Sequence, residues 1–438
     1  SDKVRKIWNS SINSLECKVE ILSQNNEKKD DILTQKDNNT LNVVKNDNKT
    51  IINSYAYEGR KDLTSVVIPN GVISIKSFAF KNCINLKSVI IPNSVTSIGA
   101  YIFDGCNNIE TVKIPADLID CIPKEKLKEV VITSGEYIKN NAFFNCTNLA
   151  NVIIPNSAIN IGNKAFYCCN NLTSIVIPNS VTSIGDEAFY GCSRLTKVII
   201  SNNLQNIGIR AFEGCNNLQY AEYDNAKYLG NDDNPYLYLV SANNQFNNDN
   251  KIHDKTKFIG SNVFNECNTL TRIIIPNNVC NIASNFLGES NRIESIQVEE
   301  KNAVYKSEDN CLLRRNDNAL ILGCKNSVIS DNVTSITDYA FSKCSELTSI
   351  KIPNSVTSIG AFAFYGCNNL TNITISDSVT SIGVSAFNGC EKLSNITIPD
   401  RITSIGDFAF LNCKNLENIL IPDSVTSVGN GAFADCSG

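Results

Sequence analysis

Methionine is absent from all 438 residues and the chain begins at Ser1, so it is expected to be a processed or trimmed product. The lack of a visible secretory leader then excludes nothing. Histidine occurs once, as His253 in IHDKTKF. Catalytic systems built on Ser-His-Asp or Cys-His therefore have a single candidate base, expected to be an exposed loop histidine. No apolar run approaches the roughly 20 residues that span a bilayer. Basic residues hold no surplus: 39 Lys and Arg stand against 44 Asp and Glu, for a net charge of −5 and a pI near 5.2. That balance speaks against nucleic acid and anionic membranes as partners, since both call for concentrated positive charge. No C-x-x-C pair offers the usual zinc spacing, and no G-x-x-x-x-G-K stretch exists to hold phosphate. Paired acids such as Glu299-Glu300 and Asp232-Asp233 read as solvated loop charge. The expectation is no cofactor, no metal and no catalysis.

What the chain does contain is one sentence repeated. Residues 172–192 read LTSIVIPNSVTSIGDEAFYGC, and close copies begin at Leu86, Leu347, Leu370, Leu393 and Leu416. With Leu172 as position 1, apolar residues fall at 4, 6, 10, 13, 17 and 18, Pro178 at 7, Gly185 at 14 and Cys192 at 21; Leu195 restarts the count after 23 residues. Such a period means a solenoid, in which each turn buries its apolar side only against its neighbours. Ile175 and Ile177 alternate with Ser174 and Val176, the two-residue period of a short strand. Pro178 ends that strand, because proline has no N–H for the ladder. Val181 and Ile184 mark a second extended piece, Gly185 a corner, and Ala188 with Phe189 point back to the core.

Eighteen cysteines would ordinarily suggest a disulfide framework, but twelve of them, Cys83, Cys106, Cys146, Cys169, Cys192, Cys215, Cys267, Cys344, Cys367, Cys390, Cys413 and Cys436, occupy position 21. Parallel Cβ vectors in stacked turns oppose bridging, so free, buried thiols bonding weakly to loop carbonyls are expected.

The order LxxIxIP, VxxIG, AFxxCxxL resembles the leucine-rich repeat, and within it the BspA-like class of bacterial and protozoan surface proteins, from about Leu41 to the end. The resemblance implies a mostly β, α/β-class solenoid: a curved right-handed superhelix of 23-residue turns with a parallel concave sheet. It implies a non-enzymatic protein-binding role, as a cell-surface or secreted adhesin for host, extracellular-matrix or neighbouring-cell proteins. An intracellular, cytoplasmic interaction scaffold stands beside it, and the native N-terminus would separate the two.

Residues 1–40 form a separate N-terminal part and 41–438 the solenoid. Val4, Ile7, Trp8, Ile12, Leu15, Val19 and Leu22 are spaced for a short amphipathic helix, either a cap on the first turn or an oligomerisation handle. Residues 23–49 are rich in Asn, Lys and Asp and read as a linker or ragged first turn. The turn from Ile109 is only 18 residues long and lacks the AF signature. Two longer interruptions, with insertions at about 219–260 and 299–328, are similar to family β-hairpins; Tyr228, Tyr236, Tyr238 and Tyr305 are expected to pack across their strands. The repeat is still running at Cys436, so continuation, or cover by another copy through this open end, is expected. Sequons at Asn145, Asn171, Asn332, Asn369, Asn372 and Asn395 are what an Asn- and Thr-rich chain produces by chance.

On the concave sheet, positions 3 and 5 should face outward. Position 5 reads Val67, Ile90, Lys113, Val131, Ile153, Val176 and Ile199, an apolar stripe broken once, and then Glu222, Ile274, Gln297, Lys351, Thr374, Thr397 and Leu420. β-branched residues suit strands wherever they lie. Six in register would also form one contiguous apolar patch, which marks an interaction site. Both readings stand on the sequence, as does cover by the N-terminal part.

Overall fold

A computed structural model describes residues 40–42, 50–290, 292–417 and 419–437. The helix expected over 4–22 and most of the linker over 23–49 lie outside the described residues. Contacts divide the chain into two compact units, Ser1–Gln219 with Gly230–Asp233, and Tyr220–Leu229 with Asn234–Gly438.

In the first unit each regular turn contributes one strand to each of two parallel sheets, as the spacing requires. Positions 3 to 5 give Thr40–Asn42, Ser65–Val67, Ser88–Ile90, Thr111–Ile114, Glu129–Ile132 and Asn151–Ile153 in a single six-stranded sheet, followed by the pair Ser174–Val176 and Lys197–Ile199. Positions 12 and 13 give the second sheet in two pieces: Thr50–Ile52, Val72–Ile75, Ser97–Ile98, then Tyr137–Ile138, Asn160–Ile161, Ser183–Ile184, Asn206–Ile207. The gap between the pieces falls at the 18-residue turn. There Pro115 leads into a short 3-10 helix, Ala116–Cys121, which buries Ala116, Leu118 and Ile119 where the missing strand would have been. The first sheet runs past the gap unbroken, with Val112 opposite Val130.

Between the sheets the repeated residues stack on their own copies. Phe166 and Phe189 lie parallel with ring centroids 5.1 Å apart, and Phe189 and Phe212 follow at 5.3 Å. Beside the rings run the thiols: Cys192 Sγ donates to the Phe166 carbonyl at 3.1 Å, Cys215 to Phe189 at 3.1 Å, and Cys390 to Phe364 at 3.2 Å. All seventeen described cysteines are unbridged, and each of these rungs uses the thiol proton.

Burial pushes Cys146 up to about 11 and Cys344 and Cys413 to about 12. In an unfolded chain these thiols ionise near 8.5. Between those values the unfolded state sheds protons that the folded state keeps, so their contribution to stability is complete below about pH 8 and falls as pH rises. Urea midpoints are expected to drop between pH 8 and 10. Iodoacetamide at pH 8, read by mass, should label the ladder only after denaturation; labelling of Cys192 or Cys390 in the folded protein at the rate of the denatured one would refute this.

Each interruption of the second unit is a three-stranded antiparallel meander rather than a hairpin: Ala221–Tyr223, Ala226–Leu229, Tyr238–Ala242, and Tyr305–Glu308, Cys311–Arg314, Ala319–Leu322. The third strand is there because it re-enters the repeat. Tyr238–Ala242 pairs in parallel with Phe258–Ile259, and Ala319–Leu322 with Ser335–Ile336, so both meanders feed the second sheet of the regular turns. Regular turns then stack Phe341, Phe364, Phe387, Phe410 and Phe433 at 5.1–5.3 Å.

Candidate interaction surface

The first sheet sets its position-5 residues side by side. Val67 lies opposite Ile90, Ile90 opposite Lys113, Lys113 opposite Val131 and Val131 opposite Ile153, and in the adjoining pair Val176 lies opposite Ile199. Their alternation partners at positions 4 and 6, such as Val89, Ile91, Ile175 and Ile177, are wholly buried, which obliges position 5 to point the other way. Val67, Ile90, Lys113, Ile153, Val176 and Ile199 are half-buried. Val131 departs from the expectation: it is buried, at 8% exposure. It is the short side chain between two long ones, Lys113 and Ile153, in strands about 4.8 Å apart, and sits below their tops. Lys128 Nζ and Glu110 Oε2 pair at 2.8 Å along the margin, holding the Glu110 carboxyl below its usual range. In the second unit the equivalent row is exposed and polar at Glu222, Gln297, Lys351, Thr374 and Thr397, with Ile274 half-buried and Leu420 82% exposed among them.

A second surface feature was missed by reading only the inward positions. Tyr55, Phe78 and Tyr101 stack outside the core at 5.1 and 5.6 Å, and Phe144, Tyr167 and Tyr190 at 4.9 and 5.0 Å. The Arg210 guanidinium lies over the Tyr190 ring at 4.8 Å. The signal was available as aromatics recurring at positions 16 and 19.

His253 is not the exposed loop residue expected. It is half-buried, stacked on Tyr236 at 3.9 Å with Tyr223 edge-on at 4.7 Å, because the first meander supplies the tyrosines that enclose its loop. Its Nδ1 accepts the Lys255 N–H at 3.1 Å, and burial lowers its pKa, so the ring is held neutral in a packing role. A shallow cleft of about 440 Å³ opens beside the same meander, lined by Glu222, Asp224, Lys227, Asn243, Asn262 and Glu266, with His253 outside its walls. Tyr228 packs edge-on to Tyr236 at 5.6 Å, and Tyr305 is buried with its hydroxyl accepting the Ile282 N–H. Glu299 accepts the Asn277 N–H at 2.8 Å, so that acid is a turn brace rather than free charge. Among the described residues no group of three or more His, Cys, Asp or Glu is placed to hold a metal, and no helix is long and apolar enough to cross a membrane.

Sequon amides are partly committed: Asn369 Nδ2 donates to the Ser345 carbonyl at 2.8 Å and Asn332 Nδ2 to the Glu308 carboxylate at 3.1 Å, while Asn372 and Asn395 stand exposed at position 3.

The family profile described as "BspA type Leucine rich repeat region (6 copies)" matches residues 50–126, 120–232, 242–316 and 321–438. Among solved structures, a leucine rich cell surface protein from Faecalibacterium prausnitzii is 29% identical, covering 90% of this chain and 90% of its own, with a TM-score of 0.39. A leucine-rich repeat protein from Bacteroides ovatus is 25% identical, over 88% of this chain and 80% of its own, with a TM-score of 0.32. One from Eubacterium ventriosum is 23% identical, over 86% and 84%, with a TM-score of 0.33. No curated protein matches.

Proposed function

The chain belongs to the BspA-type leucine-rich repeat family, and from that premise we propose that it is a non-enzymatic binding protein, displayed at the cell surface or secreted, that adheres to host, matrix or neighbouring-cell proteins. Its contact face is the position-5 stripe of the first unit. The observation that carries this is the in-register apolar row, nearly continuous in the first unit, where the equivalent row of the second unit is mostly polar and holds only Ile274 and Leu420 as isolated apolar members. An interaction face gains from burying such a row, and a face that only meets water does not.

Ile153→Lys with Ile199→Lys tests it, because neither residue faces the core. The double variant is expected to keep its circular dichroism and melting temperature while its binding to intact host cells and matrix-coated surfaces falls at least about tenfold, as loss of two apolar anchors would give. Unchanged binding would reduce the stripe to strand filler. The unbridged thiols suit a reducing compartment equally, which keeps an intracellular scaffold as the second reading. A leader peptide or lipoprotein signal on the native N-terminus belongs to the first.

A further inference from the structure

We propose that the break in the second sheet of the first unit takes one extended, cationic peptide segment of a bound protein, paired as a strand against residues 96–101. This site lies apart from the position-5 stripe and does not depend on it.

The break is a strand present in one sheet and missing from the other. Thr111–Ile114 keeps its place between Ser88–Ile90 and Glu129–Ile132 in the first sheet, so the flanking turns stay two strand spacings, about 9.6 Å, apart. In the second sheet no strand stands between Ser97–Ile98 and Tyr137–Ile138. The 3-10 helix Ala116–Cys121 leans toward the turn from Leu127: the Ala116 N–H donates to the Ser134 carbonyl at 2.9 Å, and Lys139 Nζ to the Asp117 carbonyl at 2.9 Å. Among the described residues no hydrogen bond joins 115–126 to 96–101.

Solvent therefore reaches the wall made by the turn from Leu86. Ile98 is half-buried, whereas its equivalents Ile52, Ile75, Ile138, Ile161, Ile184 and Ile207 are at most 4% exposed. Ser97 and Ala100 are exposed, and Tyr101, at 67%, stacks on Phe78 by one face with no ring on the other. The backbone of this wall is that of an unpaired strand edge. One turn earlier the Ile73 and Ile75 carbonyls accept the Thr96 and Gly99 N–H groups, and the Phe78 N–H donates to the Ala100 carbonyl, at 2.7–3.1 Å. Their equivalents, the Thr96 and Ile98 carbonyls and the Tyr101 N–H, have no such partner among the described residues. A row of acceptors two residues apart followed by a donor is matched by a second extended backbone, the mode in which a peptide adds a strand to an open edge.

The surroundings are acidic. Asp104, Asp117 and Glu136 are exposed and carry no ion pair among the described residues, while Lys124 at 3.6 Å and Lys139 at 3.2 Å are spent on Asp120. A segment alternating Lys or Arg with apolar residues offers cations to these acids and apolar side chains to Ile98 and Tyr101.

The test uses a dye-labelled peptide alternating lysine with valine around one tyrosine, titrated with the full chain and read by anisotropy. Binding is expected. N-methylating one alternate set of its amides should weaken binding at least about tenfold and the other set should not, the signature of a strand paired along one edge. Glutamate in place of lysine should abolish it. Tyr101→Asn removes the ring without loading the backbone, since Tyr101 sits at φ +58° and Asn141 holds the same place one repeat on, also at φ +58°. That variant, and separately Asp104→Lys with Glu136→Lys, should each weaken binding severalfold at unchanged melting temperature. No binding of the parent peptide, equal effects of the two methylation sets, or affinity that these variants leave untouched each overturns the proposal. So does affinity lost instead in Ile153→Lys with Ile199→Lys, which would put the peptide on the stripe.

Discussion

Phe387→Ala is expected to lower the stability of the second unit by about 3–5 kcal/mol, the range for truncating a buried phenylalanine. The ring is fully buried and lies parallel between Phe364 and Phe410, 5.2 Å from each. In a compact domain neighbours close part of such a gap. Here the flanking rings belong to separate turns held at strand spacing by parallel ladders, so the gap persists. Both nearest-neighbour interfaces of one turn weaken together, and those interfaces are where a stacked chain keeps its stability. Urea unfolding measures the loss, and native-state hydrogen exchange should show protection falling first in the turns beginning at Leu370 and Leu393. Phe408→Ala provides the contrast: that ring is 43% exposed, and its removal should cost under about 1 kcal/mol. Equal effects from the two would mean that the ring column is not what couples the turns.

The regular turns were readable because every signal in them agrees: a two-residue period, then a proline, then a glycine corner, then the Ala-Phe pair, each repeated at a fixed interval. The thiol ladder was readable for the same reason, since cysteine at one fixed position can only stack on itself. Legibility fails where the interval changes. Nothing in residues 116–121 announces a 3-10 helix, because its six residues are too few to show a period. The third strand of each meander was lost for a different reason. Tyr238–Ala242 is preceded by Gly230 and Pro235, but its place is fixed by the parallel partner Phe258–Ile259, which local pattern does not name. His253 followed from that omission, since its tyrosine neighbours come from the meander, Tyr223 from its first strand and Tyr236 from the loop before its third. The stripe was visible as a row, yet Val131 was misjudged: exposure depends on the lengths of the side chains on adjacent strands, 18 and 22 residues away in sequence.

Gly383→Ala is expected to cost about 3 kcal/mol, the upper end of the range for overpacking. A Cβ at Gly383 would come within 2.5 Å of the Gly360 carbonyl carbon and 2.6 Å of the Ala361 nitrogen. Both are backbone atoms, so no rotamer relieves the contact and the two turns must separate. A side chain at position 14 is not by itself incompatible with the ring column, since Lys76 occupies it where Tyr57 and Phe80 stack at 5.1 Å; the clash at Gly383 is with the particular backbone of Gly360 and Ala361 that it packs on. The other recurring glycine answers a different need: Gly389 adopts φ +77° with nothing nearer than 3.5 Å to an added Cβ. Gly389→Ala should cost only the left-handed penalty of about 1–2 kcal/mol. Paired urea titrations decide between these accounts. Should Gly389→Ala prove the more damaging, turn spacing would be set by backbone conformation rather than by the close approach at Gly383.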